Sequence, residues 1–366
     1  MSIELRLRDA SAHCPKHMVY GPCGGVRADD GCEVPGLRCS FAADPHLLRG
    51  LAFAPADIDP PDSARDSGDA LPVAPRRPAA TVFAARVAQG TVITADLPVL
   101  AAGAAVVSEA GARLAELTAV IAGEPPGLRE ALSPTHRALL LTAAGATVIA
   151  GITCRDRNRV ALEGELAALG DLGAAGVLAV TGDHPSSTAR PDAEPVFDLD
   201  STRLAALVRR TGLFAAVVEQ PAAPAISFRP SRLALKARAG AELGILNLCR
   251  DIADLARFAH GLVETGAAVP LIASVPVVTS RAAAMRLGGL PGVALPAEIV
   301  AAVSTADDTI EAGIRAATAW AERALAVPGV VGVHLSAVRD EDDTTGLAAV
   351  DAVAHTAARI RESAAA

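Results

Sequence analysis

Four of the six cysteines in this chain crowd into one stretch near its start, CPKHMVYGPCGGVRADDGCEVPGLRCSF, at Cys14, Cys23, Cys32 and Cys39; the others are Cys154 and Cys249. Four soft ligands among Gly-rich turns, with little apolar sequence to build a core, suit a closed set of thiolates that folds the segment around a metal. The intervals of eight, eight and six residues exceed the short CxxC knuckles of zinc ribbons. An iron–sulfur cluster would use the same thiolates, His13 and His17 could substitute for one of them, and four unligated cysteines in a turn-rich tail are the plain alternative. Zinc is the expectation. Such crowding is not how a disulfide framework is spread over a chain.

Two further segments carry chemistry. In ITCRDRNR (152–159) a strand ends at Thr153, Asp156 or Asn158 can cap a helix that begins near Val160, and three arginines beside a helix N-terminus could hold an anionic tail or a phosphate. A solvated basic loop is the competing reading. In LAVTGDHP (178–185), Gly182 allows close backbone approach to a ligand, and Asp183 presents a carboxylate.

The elements that must hold these groups read as alternating strands and helices. Apolar runs occur at 91–97, 117–123, 146–152, 176–182, 213–219, 243–248, 269–275 and 330–336, with helical stretches at 101–116, 158–170, 251–264, 306–326 and 343–362. Eight βα units after residue 81, with no GxGxxG after the first strand, predict a (β/α)8 barrel rather than an open doubly wound sheet. The domain expectation is a Cys-rich, metal-binding module at 1–50, a Pro/Ala/Asp-rich linker at 51–80 and the barrel at 81–366. In a barrel the strand C-termini carry the site. Those ends hold Asp96, Glu124, Thr153, Cys154, Arg155, Thr181, Gly182, Asp183, Glu219, Gln220, Asn247 and His334. Any one of them could be a simple loop or capping residue.

Composition narrows the partners. With 51% hydrophobic residues a large core is built, but aromatics are 2%, so few rings are available to stack on a flat ligand. A net charge of −8 argues against a nucleic-acid phosphate partner. No run of about twenty apolar residues marks a membrane span, and the start lacks a signal-peptide pattern, so a cytoplasmic protein is expected.

Taken together, TCRDRNR, VLAVTGDHP, VFDLDS (196–201), LKARAGAELGILNL (235–248) and PLIASVPVVTSRAAAMRL (270–287) resemble the methylenetetrahydrofolate reductase family. The N-terminal CPK…GPCGG…CEV…C is similar to the cysteine-rich module associated with that family. The resemblance implies a TIM barrel that reduces 5,10-methylenetetrahydrofolate to 5-methyltetrahydrofolate, with NADH or NADPH as hydride source and FAD as the intermediary. It implies Asp96 as general acid, in place of the usual Glu, and Asp183 as the carboxylate near the reacting carbon. Asn247 stands where the family has a pterin-binding Gln, and Glu219 falls with it among the substrate contacts. Thr153, Thr181, Gly182, Asp183 and Lys236 fall at cofactor positions. The chain departs from the pattern where a family His on the third strand becomes Gly151 and an Arg before Gly-Asp becomes Thr181. Around the fifth strand a Tyr-Pro-Glu and a nearby His give way to Val217, Val218, Glu219 and Pro221. An aromatic run after the sixth becomes Leu248, Cys249 and Arg250. Because nicotinamide is itself a hydride donor, a flavin-free route is open. The alternative is a catalytically altered folate-binding barrel that serves as a subunit of a larger complex, as a homo-oligomer or with a partner docked on the cysteine module.

Overall fold

The computed structural model describes residues 3–42, 44, 46–53, 58, 73–90, 92–98, 103–289, 293–340 and 342–365. Its centre is a closed barrel of eight parallel strands in chain order. They are β1 (Val92–Asp96), β2 (Ala119–Ala122), β3 (Val148–Thr153), β4 (Gly176–Val180), β5 (Phe214–Glu219), β6 (Leu243–Leu246), β7 (Leu271–Val277) and β8 (Val330–Ala337). Every predicted apolar run is a strand, and β8 closes on β1 through pairs such as Val333 with Ile93. The strands are apolar on both faces because both faces are covered, as in a parallel sheet ringed by helices.

Around the barrel lie α3 (Ala104–Arg113), α4 (Pro134–Ala143), α5 (Arg159–Asp171), α6 (Ser201–Arg210), α7 (Arg229–Ala239), α8 (Ile252–Glu264), α9 (Arg281–Gly288), α10 (Ala297–Thr305), α11 (Thr309–Leu325) and α12 (Leu347–Ala365). Preceding them are α1 (Ile3–His13) and α2 (Pro78–Gln89). Neither helix is predicted by the sequence pattern. α1 is weakly patterned, with only Ala10 fully buried, so its periodicity carries little signal. α2 starts inside the stretch read as linker, with Pro78 at its first turn. Its Phe83 closes the lower end of the barrel interior, edge-on to Phe214 at 4.9 Å. Much of the linker, 54–57 and 59–72, lies outside the described residues.

Three apolar cores result. Val92, Ile121, Ile149, Phe214 and Ile245 fill the barrel interior, and a larger ring packs strands against helices. A third, small core of Met18, Tyr20, Val26, Phe41 and Leu48 rests on Phe228 and Leu235. The cysteine module therefore docks on its own barrel at the α7 side. Among the described residues, no helix is long and apolar enough to cross a membrane.

Candidate functional site at the barrel mouth

The C-terminal ends of the strands form two unlike halves. On the β4–β5 side, Glu219 ends β5 at 1% exposure, enclosed by three cations from one helix. Arg232 lies 2.8 Å from one carboxylate oxygen and Lys236 3.0 Å from the same oxygen, while Arg229 lies 3.3 Å from the other. Their spacing at 229, 232 and 236 puts all three on one face of α7. Burial would raise the Glu219 pKa, but Arg232, Lys236 and Arg229 more than offset it and hold the carboxyl far below its usual range. Burial together with Arg232 pushes the Lys236 ammonium down to about 8.

The cysteine module is fastened to this half. Arg229 donates to the carbonyls of Pro22 and Cys23, each at 3.0 Å. Lys16, at 3% exposure, donates to the Gly182 carbonyl at 2.7 Å and pairs with Glu33 at 2.6 Å. Glu33 also accepts the His184 N–H, and Val19 N–H reaches the Asp200 carboxylate at 3.4 Å. Asp200 simultaneously caps α6 by accepting from Thr202 and Arg203. Gly182 holds φ +91°, and a Cβ there would lie 2.9 Å from the Thr153 Cβ, so the TGD turn needs glycine. What remains between module and barrel is a cavity of about 120 Å³ bordered by Lys16, Cys23, Thr181, Gly182, Asp183 and Lys236. Burial raises the Asp183 pKa, with Lys16 and Arg155 opposing and Glu33 reinforcing the shift.

Residues expected at a cofactor are thus engaged within the protein. Thr181 Oγ1 accepts the Ser201 N–H at 3.1 Å, and Lys236 donates to Val218 and Glu219. Thr153 gives its hydroxyl and its N–H to Glu124, which Arg157 clamps with two further bonds. At Gly151 a Cβ would meet the Gly123 Cα at 2.7 Å, so β3 leaves no room there for the histidine of the family pattern. Glu219, expected at the substrate, borders the same cavity and is paired with Arg229, Arg232 and Lys236. Of the two capping residues considered for α5, Asn158 is the one that caps it, accepting from Ala161.

The β1–β8 side is built differently. Asp96 ends β1 with its side chain 42% exposed; one oxygen lies 3.2 Å from His334 Nε2, and the other accepts from Ser336 at 3.0 Å. The opposite ring nitrogen of His334 meets Thr94 Oγ1 at 3.0 Å. Burial of the Asp96 carboxyl works to raise its pKa, but His334 and the bonds from His334 and Ser336 outweigh it and hold the group below its usual value. Asp96 is therefore a carboxylate at neutral pH. Asp96, expected as the general acid, thus stands in contact with both His334 and Ser336. Asn247, just past β6, is partly buried; its side-chain oxygen accepts the Leu248 N–H at 2.9 Å, and its own N–H donates to the Glu219 carbonyl.

Cys14, Cys23, Cys32 and Cys39 border one small cavity of about 20 Å³. Burial pushes the Cys14 thiol up to about 11 and also raises Cys32 and Cys39. Among the described residues, no three His, Cys, Asp or Glu side chains stand as a ready ligand set. The four thiols share a cavity, but their coordination of a metal would require them to draw together.

Lys16, Glu33, Arg229, Arg232 and Ser336 belong to the mouth but carry no motif of their own. Only the strand-end rule could have flagged Ser336, and nothing in the module's sequence marks Lys16 or Glu33 as barrel contacts.

A closed parallel (β/α)8 barrel with charged groups at its C-terminal mouth defines the class. The methylenetetrahydrofolate reductase family profile matches residues 107–349, and the chain belongs to that family. Among solved structures, an uncharacterised protein from Clostridium thermocellum that binds two copies of 5-methyl-5,6,7,8-tetrahydrofolic acid superposes with a TM-score of 0.52 at 11% identity, over 75% of this chain and 98% of that one. Oxaloacetate acetylhydrolase (TM-score 0.46, 12% identity, 78% and 87% of the two chains) and 2,3-dimethylmalate lyase (0.43, 10%, 70% and 80%) are more distant barrels. Among curated proteins, none matches the chain in sequence.

Proposed function

We propose that this protein is a folate enzyme that reduces 5,10-methylenetetrahydrofolate to 5-methyltetrahydrofolate with NADH or NADPH directly, without a flavin. The observation that carries the proposal is the contrast at the mouth: Asp96 is partly exposed and joined to the buried His334 and Ser336, while Thr153, Thr181 and Lys236, expected at the flavin, are bonded to the protein itself. FAD does not fit the β4–β5 side. The cavity there is about 120 Å³, against the roughly 300–1,000 Å³ of small-molecule and cofactor pockets, and Lys16 and Cys23 border it.

The net reaction consumes one proton and one hydride and yields NAD(P)+. Opening the imidazolidine ring breaks a carbon–nitrogen bond, and the leaving nitrogen needs a proton. The Asp96–His334 pair supplies it, and the exposed Asp96 side chain lets solvent restore it. The remaining iminium is a cation, which the Asp183 carboxylate steadies electrostatically. The reduced nicotinamide co-substrate supplies the hydride to the iminium carbon. Asn247 offers its carboxamide to the pterin.

The second reading, a folate-binding subunit without redox activity, draws on the same closure of the β4–β5 side and on the Asn247 oxygen being turned to its own backbone. Anaerobic oxidation of NADH or NADPH with methylenetetrahydrofolate, without flavin, separates the two: turnover supports the reductase, and folate binding without turnover supports the subunit. For the module, the donor set suits zinc or an iron–sulfur cluster in a structural role. Metal analysis of wild type against Cys23→Ser/Cys32→Ser tests it; unchanged metal content would rule the thiol site out.

A further inference from the structure

On the same face of the barrel, beside the β4–β5 cavity, a second cavity of about 350 Å³ opens between the loops that follow β2, β3 and β4. Five arginines border it: Arg129, Arg137, Arg155, Arg157 and Arg190. Three of them are neutralised internally, Arg155 by Asp156, Arg157 by Glu124 and Arg190 by Asp192. Arg137 is different. It is 7% exposed, and its Nε and Nη2 are sealed from solvent without a hydrogen-bond partner.

Its position aggravates that. Arg137 lies in the first turn of α4, where the helix dipole is positive and disfavours a cation. Burial lowers the guanidinium pKa; Glu124 opposes that shift and Arg157 adds to it. A buried cation at the positive end of a helix, with two of its nitrogens lacking a hydrogen bond, is costly unless an anion joins it.

We infer that this cavity is an oxyanion subsite, in which the Arg137 guanidinium receives a phosphate or carboxylate group of a ligand, with Arg129 at its exposed rim. The anion chemistry stands on Arg137 and the cavity alone, while the choice of ligand rests on the folate reading. Two sources share this chemistry: the phosphates of a dinucleotide and the carboxylates of a polyglutamate tail.

The test is thermal unfolding of the full chain titrated separately with inorganic pyrophosphate and with tri-γ-glutamate. At least one should raise the Tm saturably; protection by pyrophosphate points to nucleotide phosphates and protection by the peptide to a carboxylate tail. Arg137→Met should weaken that protection at least tenfold, and in anion-free buffer it should be no less stable than wild type, because an unpaired buried charge has been removed. Arg129→Gln, at an exposed position, should fold normally and weaken protection a few-fold. Absence of protection by both anions in wild type, or undiminished protection in both variants, would overturn the site.

Discussion

The two halves of the barrel mouth use their charges in opposite ways. At β4–β5, Glu219 is enclosed by Arg229, Arg232 and Lys236, and the cysteine module sits over them through Lys16 and the backbone of Pro22 and Cys23. At β1–β8, among the described residues, Asp96 is paired with His334 and Ser336, and its side chain is partly exposed. Charges saturated by neighbours stabilise and position; a carboxylate with one proton-sharing partner and open access can react. The difference teaches that a strand-end carboxylate is not by itself a catalytic group. Its partners decide.

The largest effect should come from the saturated half. Glu219→Gln leaves three buried cations without their counter-charge and should cost about 3–5 kcal/mol in denaturant unfolding. A loss under 1 kcal/mol would mean that this half is less tightly built than its geometry indicates. In the open half the effect should fall on rate. Asp96→Asn and His334→Gln should each lower kcat roughly 10²–10⁴-fold, with circular dichroism and Tm little changed. A double variant should lose little more than either single one, because the two act as a unit.

Asp183 stands between the halves and should separate stability from turnover. Its folded pKa is raised, so the folded state holds that proton more tightly than the unfolded chain does. Stability from this group is greatest below the unfolded carboxyl value and declines as pH rises through the raised one. Asp183→Asn should therefore be neutral or stabilising at pH 7 while cutting kcat more than it raises KM. In the wild type the acid limb of kcat should lie above the usual carboxylate range, and in the variant it should vanish. The smallest effect is expected at Asn247. Its replacement by Ala should raise the folate KM about five-fold, the worth of one hydrogen bond near 1 kcal/mol, and leave kcat nearly intact.

The barrel was legible because parallel strands covered on both faces leave unbroken Val, Ile, Leu and Ala runs, each closed by a polar strand end. α2 was not, because an Ala-rich helix behind a Pro/Asp-rich stretch carries the same composition as the linker before it. Within the site, Asp96 and Asp183 could be placed from their strand ends, and Glu219 too, but its role could not. Arg229, Arg232 and Lys236 read as an ordinary basic helix until β5 brings a carboxylate beneath them. Lys16 and Glu33 meet Gly182 and His184 across more than 150 residues of chain. No local pattern records such contacts. The charge state of Asp96 was equally hidden, since it depends on His334 arriving from the last strand.

The central claim is that hydride reaches the folate without a flavin, and one assay addresses it. The protein, purified and stripped of any bound flavin, is given methylenetetrahydrofolate and NADH or NADPH under anaerobic conditions, with and without added FAD. The account predicts steady nicotinamide oxidation with stoichiometric methyltetrahydrofolate, unchanged by FAD. Turnover that appears only when FAD is added, accompanied by flavin absorbance that stays with the protein, would contradict it.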